Sequence, residues 1–294
     1  MVIARLKERN KILRVLSQIG DLFKSQLDTP KTVLEKGTLI MSIDVDVGNK
    51  ELGIVNKGKN DQNVSTVFSE YSIGLTEELA LPMFLSLFEE FETQVTFAIR
   101  GQWLQLPNAA LYRLLETSVK HDLGAHGYYH RNFKRLSHKE AENELAEVQT
   151  AMNRFNLAPS SFVFPGNNIA HLNLLPNHGF KCYRGYGGFL RDGMYIQRHR
   201  QLYDVHPSLY IDQHSNLRLM KKFLELSSKR KLPLHLWFHL WSCGRTENTI
   251  QKSMRNMFQP FLQYAKSEVK DGRLDVETMA SVIQKVRYHA DRES

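Results

Sequence analysis

Leu39-Ile40-Met41-Ser42-Ile43-Asp44-Val45-Asp46-Val47-Gly48 is a short apolar run that closes on two carboxylates and a glycine. Its length and its β-branched residues predict a buried strand of a parallel sheet. Strand side chains alternate with period two, so Asp44 and Asp46 share one face if the strand runs that far. Two like charges held together resist joint ionisation. A bound cation relieves them, and the pair can also divide the labour, one ligating and one taking a proton. A solvated strand end that uses Asp for local turn hydrogen bonds is the plain alternative.

From this strand outward, short apolar runs alternate with helical stretches of ten to twenty residues, the pattern of βα units on a mostly parallel sheet. The strands are read at 38–45, 94–99, 122–125, 161–164, 180–183, 203–211, 234–239 and 273–276. Helices are read at 76–91, from Ser137 onward, and at 217–228, 250–269 and 277–287. Ser137-His138-Lys139-Glu140 has the form of a capping box. Seven or eight such repeats predict an α/β fold, a parallel (β/α) barrel with its chemistry at the C-terminal ends of the strands.

The 294 residues, 42% hydrophobic and 24% charged, suffice for one large core. Residues 1–27 place Ile12, Val15, Leu16, Ile19, Leu22, Phe23 and Leu27 at helical spacing, with Lys and Arg opposite. The chain therefore divides into an N-terminal amphipathic helical extension over residues 1–30 and a barrel domain over residues 31–294. That helix docks on the barrel or makes peripheral contact with an anionic membrane surface. Arg5, Lys7, Arg9, Lys11 and Arg14 leave no apolar run of signal-peptide length, so a cytoplasmic location is expected. Cys182 and Cys243 have no partner at metal-ligand or disulfide spacing. The net charge of +8 suits an anionic partner, but the basic residues are dispersed and no nucleic-acid partner is expected.

Two further segments carry chemistry. Gly124-Ala125-His126-Gly127-Tyr128-Tyr129-His130 follows a strand and sets two histidines four apart, as on a helical turn that aims both rings at one point. Spacing alone is weak evidence, since His235 and His239 repeat it. Position at a strand end is what favours the first pair, and mixed His and carboxylate ligation suits Zn²⁺ or a neighbouring first-row ion. In Leu234-His235-Leu236-Trp237-Phe238-His239, His239 lies nearest the mouth, where an imidazole can protonate a leaving amine. His235 would sit about 13 Å deeper by strand rise, as a core histidine.

These residues together resemble the polysaccharide deacetylase family, carbohydrate esterase family four, which includes chitooligosaccharide and peptidoglycan deacetylases. The resemblance covers about residues 39–286. It rests on the Asp pair in the spaced form Asp44-Val45-Asp46, on His126-x-x-x-His130, and on the second strand with its glycine, Gln94 to Gly101. His239 and the ending Gly272-Arg273-Leu274-Asp275-Val276 complete it. It departs in two places. Gly127 stands where the family motif has Ser or Thr, and Ser161 to Asn168 keeps the proline, Pro165, without the arginine that orients the base. Arg100, Arg184 and Arg191 are the candidates to replace that arginine, and Asp192 and Asp204 the candidates for an acid that tunes the histidine.

The resemblance implies a distorted barrel of seven strands and a metal-dependent hydrolase that removes acetyl groups from N-acetylated sugars of a glycan or glycan precursor. It implies Asp44 as catalytic base and Asp46, His126 and His130 as ligands of a divalent metal, Zn²⁺ foremost, with His239 as acid. A backbone N–H near Gly166 would meet the oxyanion, with Asn167, Trp241 and Arg100 as further substrate-side candidates. Two alternatives stay open: a cyclic amide or imide hydrolase on the same scaffold, and a carbohydrate-binding domain whose catalysis is impaired.

Overall fold

The structure, a computed structural model, describes residues 33–46, 73–105, 109–185 and 193–286. The N-terminal extension and the candidates Arg191 and Asp192 lie outside the described residues.

Among the described residues ten strands form one sheet: β1 (Gly37–Val45), β2 (Thr96–Ile99), β3 (Asp122–Ala125), β4 (Ser161–Val163), β5 (Cys182–Arg184), β6 (Ile196–His199), β7 (Leu202–Val205), β8 (Leu209–Tyr210), β9 (Pro233–His239) and β10 (Leu274–Glu277). Their order is β6-β7-β5-β4-β3-β2-β1-β9-β8. Every pairing is parallel except β6 with β7. One edge of β1 is taken along its length by β9; its other edge is shared, β10 on Gly37–Ile40 and β2 on Ser42–Val45. The result is the predicted parallel (β/α) barrel in distorted form. It curls without pairing β8 to β6, because β6 and the two-residue β8 are edge strands.

Alternation along β1 divides the core. Leu39, Met41, Ile43 and Val45 pack outward with helix residues such as Phe84, Phe88, Leu145, Phe223 and Phe258. Ile40 faces inward and clusters with Ala98, Val163, Cys182 and Val205 of the neighbouring strands. Met279, Val282 and Ile283, on and just after the short helix Met279–Val282, close the floor of that inner core. Above the floor the inward positions turn polar: Ser42, Asp44 and Asp46 are 0%, 3% and 2% exposed. Among the described residues no helix is long and apolar enough to cross a membrane.

Several local expectations change. The stretch read as one strand over 203–211 is two, β7 and β8, which lie far apart in the sheet order. Pro207 cannot continue a ladder, and Ser208 instead donates its N–H to His235 O on β9. The first helix begins with a π-turn, Leu75–Ala80, before Leu81–Glu90, and the helix read at 250–269 is likewise interrupted by a π-turn at Met254–Phe258. Ala109–Glu116 is an unforeseen helix, and β6 an unforeseen strand. The capping box is formed as read: Glu140 N–H donates to Ser137 Oγ, and Ser137 N–H donates to Glu140.

Candidate active site at the C-terminal ends of β1, β3, β5 and β9

The register of β9 on β1 sets Asp44 beside His239, Ser42 beside Trp237 and Ile40 beside His235. One face of two adjacent strands thus delivers a carboxylate and an imidazole at the same height. His239 Nε2 lies 3.6 Å from Asp44 Oδ2 and 3.5 Å from Asp46 Oδ2, so both carboxylates reach one atom and share one face. Asp46 is fixed by Trp241, whose Nε1 donates to Oδ1 at 3.1 Å. Arg100, buried at the end of β2, donates from Nη1 to the backbone O of Asp46 at 3.3 Å and from Nη2 to Gln102.

His126 directly follows β3, and its N–H donates to Ile99 O. The segment to His130 is a loop rather than a helical turn, because Gly127 and His130 adopt left-handed backbone angles, φ +67° and +62°. The two rings still converge: His126 Nε2 and His130 Nε2 face each other at 3.1 Å. His126 Nδ1 donates to Val163 O at 2.8 Å, which leaves the lone pair on Nε2. Asp44 Oδ2 is 4.0 Å from that Nε2.

Of the two described candidates for the arginine absent beside Pro165, Arg184 at the end of β5 is the one that bonds Asp44. It grips Asp44 with two parallel bonds, Nη1 to Oδ1 and Nη2 to Oδ2, each 2.7 Å. Its guanidinium lies over the Trp237 ring at 4.3 Å, and Nη2 also donates to Asn167 Oδ1 at 3.4 Å. Behind it runs a buried chain of fixed polarity. His235 Nδ1 donates to Val205 O, so its Nε2 must accept from Ser42 Oγ at 2.8 Å, and Ser42 Oγ accepts from Arg184 Nη1 at 3.1 Å. His235 is therefore a core histidine with both nitrogens engaged.

Burial would raise Asp44, but Arg184, His126 and His239 outweigh it and hold the carboxyl below its ordinary range. Asp46 has no such arginine clamp; burial and the neighbouring Asp44 charge push it well above that range. Burial holds His239 down to about 4, with Asp44 opposing and Arg184 and His126 adding. Burial, first among the causes, lowers His126 and His130 too, which favours the neutral form that ligates.

Among the described residues no group of three or more His, Cys, Asp or Glu side chains already forms a metal cage. The donors nevertheless fit a cation. Two imidazoles bound to one tetrahedral Zn²⁺ at the usual bond length would hold their nitrogens about 3.3 Å apart. The observed separation is 3.1 Å, with at least one lone pair directed into the gap. A buried carboxylate whose pKa is driven up by a like charge is relieved by positive charge nearby. The Asp46 carboxylate is placed beside His239, 3.5 Å from its Nε2.

The substrate-side candidates occupy other posts. Asn167 supports Arg184 by its side chain, and its N–H is taken by Phe164 O. Gly166 sits in the same left-handed turn, φ +58°, beyond β4. Trp241 tilts against His239, ring centroids 4.7 Å apart, while binding Asp46. Asp204 faces His206 at 3.4 Å on β7. Sequence reading passed over Ser42, although it shares the period-two face of Asp44 and Asp46. It also passed over Tyr210, whose hydroxyl bonds His239 Nδ1 at 3.3 Å, and Glu144, which no spacing rule connects to a loop sixteen residues earlier.

The sequence profile of the polysaccharide deacetylase family matches residues 59–180, a span that holds His126 and His130. The chain is 27% identical over 107 residues to the peptidoglycan deacetylase of Helicobacter pylori, a match covering 35% of this chain and 36% of the relative. It therefore spans about a third of that relative's length. Two solved structures described as polysaccharide deacetylases share the fold. The one from Mycobacterium smegmatis has a TM-score of 0.65 at 14% identity, over 90% of this chain and 96% of that one. The one from Pseudomonas aeruginosa has 0.64 at 11%, over 84% and 90%. An allantoinase superposes with a TM-score of 0.64 at 12% identity, over 84% and 89%. In its profile match over residues 59–180, its curated relative and its barrel, the chain is similar to the polysaccharide deacetylase family.

Proposed function

We propose that the chain is a divalent-metal-dependent amide hydrolase that removes acetyl groups from N-acetylated sugars of a glycan or glycan precursor. The observation that carries this reading is the convergence, at one end of the barrel, of Asp44, Asp46, His126, His130 and His239 from three separate strands, with contacts of 3.1 to 4.0 Å linking them. Asp46, His126 and His130 would hold the ion, with Zn²⁺ foremost among first-row ions by donor type. When bound, such an ion supplies Lewis acidity toward an amide carbonyl and lowers the pKa of water.

The chain's own residues supply the rest. Asp44 stays ionised because Arg184 compensates its charge, and both its oxygens are oriented by the same fork. It takes the proton of the attacking water. His239, 3.6 Å from Asp44 and backed by Tyr210, is neutral at rest with its pKa held down to about 4, so the proton it passes to the departing amine is the one Asp44 takes from water, relayed between the two side chains. The N–H of Gly166 is the candidate for the developing oxyanion. Tyr128, Tyr129 and Trp241, all partly buried near these loops, offer ring faces to a sugar.

Release of acetate from N-acetylglucosamine oligomers and from peptidoglycan fragments tests the reading, with hydantoin-type cyclic amides as the competing panel. The expected result is acetate from an N-acetylated sugar, abolished in Asp44→Asn and His239→Ala. Turnover of the cyclic amides alone would hand the site to the other hydrolase class, because the allantoinase shares the fold and the barrel by itself does not choose.

A further inference from the structure

The loop that carries His126 and His130 owes part of its shape to groups outside it. Gly127 stands where the motif has a hydroxyl residue, and two of the loop's five residues hold left-handed angles. A non-glycine residue in that region, as His130 is, persists only where its surroundings enforce it. Gly127 O and Tyr128 O accept the N–H groups of Gly101 and Gln102, and the helix His138–Asn153 holds the loop's own N–H groups from the other side. Glu144 lies on its buried face with Ala141, Leu145 and Val148, its side chain 1% exposed. Its Oε2 accepts the N–H groups of Tyr128 at 2.7 Å and Tyr129 at 3.0 Å. Its Oε1 lies 3.4 Å from Tyr129 N and 3.5 Å from Arg131 Nε. One carboxylate thus binds two consecutive N–H groups between the histidines and pairs with the side chain just after them. The glycine makes room for this: a Cβ at position 127 would lie 3.3 Å from Glu144 Oε2 and 3.2 Å from Pro165 Cγ.

We infer that Glu144 is the positioning residue of the His126–His130 pair, a carboxylate on a neighbouring helix that clamps the loop backbone and so sets the separation of the two ring nitrogens. The inference rests on the reading of that pair as metal ligands. Its magnitude follows from the general behaviour of groups that orient ligands, whose loss lowers metal affinity about 10- to 100-fold.

The test is Zn²⁺ affinity of the full chain, measured by competition with a chromophoric chelator, for wild type, Glu144→Ala, Glu144→Gln and Glu142→Ala. Glu142 lies on the same helix, 44% exposed, and pairs with His178. The expected result is a loss of about 10- to 100-fold in Glu144→Ala. A smaller loss is expected in Glu144→Gln, whose amide keeps a single acceptor oxygen, and none in Glu142→Ala. Amide hydrogen exchange gives a second readout independent of metal: Tyr128 and Tyr129 should exchange faster in either Glu144 variant while the strands stay protected. If Glu144→Ala fails to fold, Glu144→Gln decides. A folded variant with wild-type affinity and unchanged exchange overturns the clamp while leaving the metal reading intact. Wild type that binds no Zn²⁺ overturns the metal reading, and the clamp's role with it.

Discussion

Arg184 carries more of this site than its place in the sequence suggests. It is 1% exposed, grips a 3% exposed carboxylate with both Nη atoms, and rests on Trp237. Removing one partner of such a pair strands the other charge, at a cost of about 3–5 kcal/mol. Arg184→Ala should lower the thermal midpoint accordingly. Arg184→Lys keeps the charge but loses the fork and the flat face over Trp237, so Asp44 is neutralised yet no longer oriented. Its kcat should fall about 100-fold, the scale of an ångström-sized misplacement, with KM little changed. Steady-state kinetics on an N-acetylated oligomer checks this, and a Lys variant with full kcat would show that charge alone suffices. Sequence reading placed Arg184 among three candidates, because all three lie in loops neighbouring the expected site. It did not separate them, since Arg100 turns instead to the Asp46 backbone and only the curl of the sheet brings β5 across to β1.

At the scale of elements, the polar strand ends were legible where alternation is strict. The period-two face of β1 anticipated the shared side of Asp44 and Asp46, and the apolar run of β9 anticipated His239 at its end. Legibility failed where one residue overrides a run. Pro207 cuts the 203–211 stretch into β7 and β8, and the π-turns at Leu75–Ala80 and Met254–Phe258 leave no mark in hydrophobic period. The helix that carries Glu144 was readable from its start. Ser137→Ala removes one half of the capping box and should cost about 1 kcal/mol of stability. Metal affinity should stay the same, because Glu144 lies two turns inside the helix. A denaturant titration with a parallel Zn²⁺ titration checks both parts. Affinity falling with stability would mean that fraying reaches the clamp.

The whole molecule joins an apolar floor to a polar mouth inside one curled sheet, and buried histidines couple its stability to pH. His121 is held down to about 4 by burial, against Glu89, and its Nδ1 accepts the Val95 N–H. His235 is held down to about 3 by burial, with Arg184 adding. An unfolded histidine titrates near 6.5, so below that pH the unfolded chain takes up protons that the folded chain refuses. This stability is whole above about pH 6.5 and is lost as pH falls toward those folded values. Glu144, pushed up to about 7 by burial, has the opposite sign: it favours the folded state in acid and loses that advantage as pH rises from its ordinary range through about 7. Comparing melts of wild type and His121→Gln between pH 7.5 and 5 isolates the histidine part, and the wild type should lose more stability on acidification. Equal slopes would contradict the buried-neutral assignment.

The central claim is that Asp46, His126 and His130 form one divalent-metal centre beside Asp44 and His239. Elemental analysis after equilibrium dialysis against micromolar Zn²⁺ tests it most directly, on wild type, His126→Ala and Asp44→Asn. The account predicts one equivalent of metal in wild type and in Asp44→Asn, and none in His126→Ala. Metal-free wild type, or His126→Ala that retains a full equivalent, would contradict it.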